Sequence, residues 1–307
     1  MDKWRRMQEL LISNNTISVA TPISYYKLSC FRWLIANAIV FIFQSTGLSI
    51  STLQQDVLPL WFASGAACAF IFMRGAGILP GIWLGSYFAY YSAGANMLVA
   101  FSSASIWAMQ AYLLLLFSCR CLTPTLIFRK RYSLFIFITF SSVLAGVTAY
   151  FLMLVSRQSI LLLGDSTQLC LSWWLSNLNG ILILGLAIYT WDYYFPQLSD
   201  LTHRKKIQIA IYALIIMLLG IFLVCTVNPF FLSILLFLVM LVISNLSYQF
   251  GWCGAVGAVF EFGMVLSMAD LINAPVFTTN FITTMPLFLQ TLLLITTIVN
   301  LILFATD

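Results

Sequence analysis

The stretch LPLWFASGAACAFIFMRGAGILPGIWLGSYFAYY, residues 58–91, contains one charged residue, Arg74, and is otherwise apolar, aromatic or small. A helix that crosses a bilayer needs about 17–25 predominantly apolar residues. The stretch is therefore long enough for two short crossings, drawn at 57–73 and 77–92 and separated near Arg74. We expect these two helices to form a tight hairpin inside a membrane.

The whole chain continues this pattern. Of its 307 residues, 62% are hydrophobic and 7% are charged, and its mean hydropathy is +1.01. A soluble domain carries about a quarter charged residues, so the composition excludes an ordinary soluble enzyme. The sequence predicts an all-α, polytopic transmembrane helical bundle of about eight to ten spans, with no room for a separate soluble domain. Ten spans are drawn, at about 31–50, 57–73, 77–92, 97–117, 132–155, 170–192, 207–227, 229–246, 251–269 and 281–304.

The basic residues predict the orientation of the bundle. Lysine and arginine in short loops are retained on the cytoplasmic side of a membrane. With the N-terminus inside, thirteen of the fourteen Lys and Arg residues face the cytoplasm, and Arg157 lies outside. The C-terminus is then cytoplasmic as well. We expect residues 1–30 to be a cytoplasmic segment, forming either a helix on the membrane surface or a frayed polar terminus, and residues 31–304 to be one membrane domain.

Glu261 is the carboxylate that falls near the middle of a predicted span. An isolated charge there costs at least about 2.5–3.5 kcal/mol, so we expect this group to be protonated, paired or wetted. Gly254, Gly257 and Ala258 share its helical face, which predicts a close helix neighbour on that face. One interpretation is a proton- or ligand-sensing group. The other is a neutral acid, hydrogen-bonded between helices for structure alone.

Small residues recur along the third span. Gly77, Gly81 and Gly85 are spaced four residues apart and therefore lie on one helix face. Helices in lipid gain no hydrophobic free energy when they associate, so close packing has to drive their association. The stripe is interpreted as a helix-packing surface.

The sixth span opens with Trp173, Trp174, Asn177 and Asn179. Tryptophan is typical of the membrane interface, here the outer one. The two asparagines lie about a turn deeper on different faces, so at least one of them should point into the bundle. Together the four residues are interpreted as a polar vestibule that takes part in ligand sensing, or as hydrogen-bonding contacts between helices.

The sequence lacks the motifs of several other classes of functional site. There is no phosphate-binding GxxxxGK[ST] loop, no GxSxG nucleophile motif, no HExxH zinc motif and no pair of carboxylates within one span, so we expect no catalytic residues. The scattered cysteines and the single histidine, His203, predict neither a metal site nor a cofactor. The basic residues lie between apolar runs rather than on one face, so no nucleic-acid partner is expected.

Three segments resemble the MASE1 family, the integral membrane sensory domain of bacterial signalling proteins. The first, at 58–91, is similar to a Pro-x-Trp-x-x-x-Gly run followed by Trp-Pro-Gly-x-x-Leu-Gly, with Leu79 in place of the second tryptophan. The second, WWLSNLNGILILGLAIYTW at 173–191, resembles Trp-Trp-x-Gly-Asp-x-x-Gly, with Asn177 in place of the aspartate and Leu186 where a proline is usual. A third segment, FGWCGAVGAVF at 250–260, is a weaker match. The matching positions are Pro59, Trp61, Gly65, Pro80, Gly81, Leu84, Gly85, Trp173, Trp174, Gly180 and Trp191.

The resemblance implies a sensor in the bacterial inner membrane. It would detect a small molecule or a membrane partner and pass a helix rearrangement to a cytoplasmic histidine kinase or diguanylate cyclase, in the same or a separate chain. If the family's aspartate binds a ligand or a proton, Asn177 implies an altered or reduced response. A homodimer is left open, because such effectors usually work as dimers. The alternatives are a proton- or solute-coupled transporter, or a scaffold for partner proteins.

Overall fold

The computed structural model describes residues 30–53, 60–121, 131–156, 166–189, 201–225, 229–271 and 285–304. In these ranges every regular element is a helix, which confirms the predicted all-α class. The predicted N-terminal segment lies outside the described residues, apart from Cys30. In chain order the helices are α1 (Cys30–Leu53), α2 (Phe62–Arg74), α3 (Leu79–Ser92), α4 (Met97–Cys121), α5 (Arg131–Ser156), α6 (Ser166–Asn179), α7 (His203–Cys225), α8 (Pro229–Leu271) and α9 (Met285–Phe304).

The helices have the length and surface of a polytopic membrane bundle. Six stretches of the described chain are each long and apolar enough to cross a bilayer. Large apolar side chains such as Phe135, Phe222 and Phe237 face outwards, as lipid-facing positions require. Each of the ten predicted spans overlaps a helical segment of the described chain. The number of crossings and the side on which each end lies stay predictions.

Helices α2 and α3 are connected by a short 3₁₀ turn, Gly75–Ile78. Gly75 has a φ of 70°, a left-handed conformation that glycine adopts without strain. The chain reverses here, but α2 and α3 do not pack along each other, so the predicted tight hairpin is wrong. Each helix packs on α1 instead: Phe70 of α2 contacts Phe43 with ring centroids 5.7 Å apart. The small residues of α2 and of α3 face different neighbouring helices, which explains why α2 and α3 do not pack on each other.

The glycine stripe of α3 lies against α1, with the two helices parallel. The Trp33 indole donates a hydrogen bond to the Gly77 carbonyl (2.8 Å), and the Gly81 amide donates to Asn37 Oδ1 (2.8 Å). A Cβ on Gly81 would lie 2.6 Å from the Asn37 carbonyl oxygen, and one on Gly85 would lie 2.8 Å from a backbone carbonyl of α1. Gly81 is in the first turn of α3, where amides have no partner within their own helix. The neighbouring helix therefore caps α3 as well as packing on it.

Helix α6 occupies the centre of the bundle. It continues through a π-helical turn, Gly180–Gly185, and ends at residue 189 within the described chain. Every residue of the π turn is buried. Helix α2 crosses the turn so closely that a Cβ on Gly65 would lie 2.5 Å from the Gly180 carbonyl oxygen. Helices α5, α8 and α9 also pack on α6 or on its π turn.

Helix α8 consists of two helices that meet at Gly251, which has a φ of 61° and a ψ of −142°. The parts are 229–250 and 252–271, and they correspond to two separate predicted spans. Both parts pack on α7. Tyr212 Oη accepts a hydrogen bond from Gln249 Nε2 (2.8 Å), whereas Gly220, further along α7, lies against Val265. Residue 249 of the first part thus lies beside residue 212 of α7, and residue 265 of the second part lies beside residue 220. The chain therefore reverses its direction at Gly251.

Candidate functional site

A cleft opens between the ends of helices α2 to α6. Its cavity volume is about 10 Å³, which is room for about one water molecule. The lining residues lie towards the ends of their helices that are opposite Arg74, Arg120 and Arg131. They are Trp61, Tyr90, Trp107, Ala149, Leu152, Trp173 and Asn177.

Two stacked indoles form one wall of the cleft. The rings of Trp61 and Trp107 lie 5.7 Å apart with an angle of 19° between their planes. Trp107 Nε1 donates a hydrogen bond to the Tyr90 hydroxyl oxygen (3.2 Å). Trp61 is only 6% exposed, and among the described residues its Nε1 has no acceptor. The Trp61 backbone is held in place, because its amide donates to the Ser176 carbonyl (3.1 Å).

A pair of buried amides closes the inner side. Gln110 Nε2 donates to Asn177 Oδ1 (3.0 Å), and Asn177 Nδ2 donates to Gln110 Oε1 (3.2 Å). Asn177 is 2% exposed and Gln110 is 5% exposed. The Ser64 hydroxyl proton is shared between the Trp61 carbonyl oxygen (2.9 Å) and the Asn177 carbonyl oxygen (3.1 Å), and the second contact ties α2 to the same turn of α6. Because both amides are satisfied in this geometry, the pair fixes α6 against α4.

Asn179 lies on the other side of α6. Residues two positions apart on an α-helix point about 200° apart, and Asn179 accordingly faces α9. Its Nδ2 donates to the Gln290 carbonyl oxygen in the first turns of α9 (3.1 Å). Asn179 and Gln290 are both fully buried. Helix α6 therefore lines the cleft with Asn177 and contacts α9 with Asn179, two residues later.

The two adjacent tryptophans of α6 have different surroundings. Trp173 lines the cleft beside Asn177. Trp174 lies against Gly146 of α5 and donates a hydrogen bond to the Ser142 carbonyl oxygen (2.8 Å). The structure thus brings Trp173 and Asn177 together. It places Trp174, Asn179 and Glu261 elsewhere.

Glu261 lies on the second part of α8 and is half-buried. No described residue forms a hydrogen bond or an ion pair with its carboxylate. The predicted close neighbour on its face is only partly present. Gly254 packs tightly against the Leu246 carbonyl across the bend, but Gly257 is exposed, and no atom lies within 4 Å of the position of a Cβ there. The helix-packing role predicted for Gly257 is therefore not found in the described chain, since its side of the helix is open.

The sequence analysis did not single out the aliphatic lining residues Ala149 and Leu152, nor four aromatic or polar residues of the site: Trp61 as a lining residue, Tyr90, Trp107 and Gln110. Gln110 carries a detectable signal, because it lies in the middle of the predicted span 97–117, where an amide has to find a partner. The aromatic residues carry a weaker one, because aromatic side chains near span ends usually mark the membrane interface. Among the described residues no group of His, Cys, Asp and Glu is arranged to hold a metal ion.

Comparison with known proteins identifies the family. Neither the curated proteins nor the solved structures contain a match to the chain. The family model of MASE1, a membrane sensory domain of signalling proteins, matches residues 33–306. This range holds all nine helices of the described chain apart from the first residues of α1, and with them the whole cleft. Because the match covers nearly the entire sequence, the protein belongs to the MASE1 family.

Proposed function

We propose that this protein is the input module of a bacterial signalling system in the inner membrane. A small molecule binds in the cleft and displaces α6, and α6 passes the displacement to α9 and to a cytoplasmic output domain of the histidine kinase or diguanylate cyclase type. The observation that carries this proposal is the double contact of α6. Asn177 is part of the cleft, and Asn179 is hydrogen-bonded to α9.

The distribution of charge supports the direction of signalling. The lining residues lie at the helix ends opposite Arg74, Arg120 and Arg131. Since basic residues are retained in the cytoplasm, the cleft opens towards the outside. Helix α9 begins near the level of Asn179 and runs on to Phe304, towards the predicted cytoplasmic side. A signal that arises outside therefore has a continuous path to the inside.

The π turn supports a movement of α6. A π turn is rare and often occurs at functional sites, since its wider hydrogen bonding is an alternative to the α-helical register. Here it begins at Gly180, directly after the two asparagines. A ligand shifts an equilibrium between two arrangements only if it binds one of them better. Asn177 lines the cleft, so its contacts with a bound ligand supply that difference in binding free energy.

A fusion experiment tests this function. A diguanylate cyclase domain is fused after Asp307, and its output is measured in cells with a cyclic di-GMP reporter. We expect Asn177→Leu and Asn179→Leu to change the output of the fused cyclase. The matched control is Asn245→Leu, because Asn245 is hydrogen-bonded to Tyr212 on the exposed side of α8, away from the cleft and α9.

The result would contradict the proposal if both α6 variants reached normal amounts in the membrane and the cyclase output equalled that of the control. A change that appeared equally in the Asn245→Leu variant would also contradict it, because the effect would then be a general one of replacing an asparagine in a helix of this bundle.

One observation favours transport as a second candidate function. The Glu261 carboxylate is half-buried in α8 and has no partner among the described residues, an arrangement that suits a proton-coupled step. Uptake into proteoliposomes that is abolished by Glu261→Gln would support transport over sensing. Uptake that is absent from the wild-type protein would exclude it.

A further inference from the structure

One side of the second part of α8 is open. Gly257, Glu261, Met264 and Met268 follow one another at intervals of three and four residues, so they share one side of the helix. Gly257 and Met268 are exposed, and Glu261 and Met264 are partly exposed. Most other described positions of this helix are buried, and α7, α9 and the π turn of α6 pack on α8. These four residues, the open stripe, therefore form a surface on which another helix can lie.

The open stripe carries a carboxyl group at the depth where such a group is most costly. Glu261 is halfway between Gly251 and Leu271, so about 15 Å of helix separates it from each end. The apolar core of a bilayer is about 30 Å thick, which places the carboxyl group near its middle. No described residue forms a hydrogen bond or an ion pair with it. A partner at the same depth would relieve this cost.

The sequence offers no cation at this depth. Every Lys and Arg lies in a predicted loop or near an end of a predicted span, and so does His203. The chain itself therefore supplies no salt bridge to the middle of the membrane. In its neutral form a carboxyl group has both an O–H donor and an oxygen acceptor, so it is complementary to a second carboxyl group. Glu261 of a second copy is such a group.

Symmetry brings two such groups together. All copies of a membrane protein have the same depth and orientation, so the axis of a two-fold dimer is perpendicular to the membrane plane. A residue close to that axis meets its own counterpart at the same depth. Gly257 lies one turn before Glu261, and no described atom lies within 4 Å of the position of a Cβ there. The backbone of a second helix can approach closely at this point, as it does at small residues between membrane helices.

We propose that two copies of this protein form a dimer through the open stripe. Glu261 of one protomer is hydrogen-bonded to the partner's Glu261, and the two helices cross at Gly257. Met264 and Met268 extend the contact with flexible side chains that fill irregular gaps. This inference goes beyond the proposed function, because the dimer requires neither a ligand nor an output domain.

The test measures association of the full chain in a lipid bilayer. One sample carries a donor fluorescent protein after Asp307 and the other an acceptor, and the two are reconstituted together in liposomes. Energy transfer is recorded as the ratio of protein to lipid is varied, which gives the dissociation constant of the dimer. We expect energy transfer to saturate and to rise linearly with the acceptor fraction, as a dimer requires.

Two substitutions should weaken the dimer by different means. Glu261→Leu removes the donor and the acceptor, so it should raise the dissociation constant by about three- to thirtyfold, the range expected for a hydrogen bond between membrane helices. Gly257→Leu fills the open space and should raise it at least as much, because it separates the two backbones. Both protomers should fold, since the two side chains lie on an open surface, and circular dichroism checks this.

Two further variants serve as controls. Glu261→Gln keeps a donor and an acceptor, so it should dimerise as the wild type does. Thr139→Leu also replaces an exposed polar residue within a span by leucine. It lies on α5, where its hydroxyl is hydrogen-bonded to the Phe135 carbonyl oxygen of its own helix, and it should leave the dimer unchanged.

Several results would overturn the dimer. They are a wild-type protein that stays monomeric at every ratio of protein to lipid, a dissociation constant unchanged by Glu261→Leu or by Gly257→Leu, an equal loss in Thr139→Leu, and loss of the dimer in Glu261→Gln. A monomeric wild type would assign the open stripe to a different membrane protein or to lipid. None of these measurements uses the cyclase output, so failure of the dimer and failure of the sensor function are observed separately.

Discussion

The contact between α2 and the π turn of α6 predicts a large effect of one added methyl group. A Cβ on Gly180 would overlap the Trp61 carbonyl oxygen and the Ser64 hydroxyl, and backbone atoms cannot move aside as the end of a flexible side chain can. Gly180→Ala should therefore push α2 away from α6. The displacement also weakens two hydrogen bonds between these helices, Trp61 N to the Ser176 carbonyl and Ser64 Oγ to the Asn177 carbonyl, each 3.1 Å long.

The size of the effect follows from these contacts. Overpacking in a dense core costs about 1–3 kcal/mol, and each lost hydrogen bond costs about 0.5–1.5 kcal/mol. The free energy of unfolding should fall by roughly 2–6 kcal/mol in total. Gly263→Ala is the matched control. Gly263 is also buried, but the nearest atoms lie 3.7 Å from the position of a Cβ, which is an ordinary contact distance. Alanine there should be neutral or should stabilise the helix by up to about 1 kcal/mol.

The measurement is unfolding of the purified protein by SDS in mixed micelles, followed by circular dichroism at 222 nm. Gly180→Ala should unfold at a clearly lower SDS fraction than the wild type, and Gly263→Ala at the same or a higher one. If Gly180→Ala were as stable as the wild type, α2 and α6 would not be in the contact described. Equal losses in the two variants would show that glycine is needed generally in these helices rather than at this crossing.

Three further predictions use the same titration. Gln110→Leu or Asn177→Leu alone should cost about 1–3 kcal/mol, because the remaining amide stays buried without its partner, and the double variant should recover part of that loss; strictly additive losses would contradict the pairing. Gly81→Leu should reduce the amount of folded protein, whereas Gly257→Leu, with open space around it, should be tolerated; similar stabilities would refute the difference in packing. Glu261→Gln should leave stability unchanged or slightly higher, since an amide is cheaper than a carboxylate in a bilayer; a large loss would reveal a partner of the carboxylate.

The helices themselves could be predicted from the sequence, because in a bilayer the length of an apolar run almost determines the element. The bend at Gly251 could be predicted for the same reason, because α8 has 43 residues and is too long for one crossing. The neighbours of each helix could not be predicted in the same way. The stripe at Gly81 indicates that a backbone comes close, but any helix with a matching surface satisfies that requirement, and α1 rather than α2 does so here.

The candidate site was predictable only in part. The spacing of Asn177 and Asn179 predicts that at least one points inwards, but both are buried, because α6 has neighbours on every side. One span considered alone carries no information on that environment. The partner of Asn177 could have been sought among polar residues within other spans, and Gln110 is such a residue. The cleft itself depends on the relative positions of five helices, which no local pattern records.

The π turn in α6 also changes how insertions and deletions act on this protein. A turn of this type contains one residue more than the α-helical turn it replaces. In a regular helix, removal of one residue rotates all following side chains by about 100°. Removal of one residue between Gly180 and Gly185 would instead convert the wide turn into an ordinary one and leave both flanks facing their present partners. Family members with an uninterrupted sixth helix should therefore align with this chain through a single-residue gap in that segment.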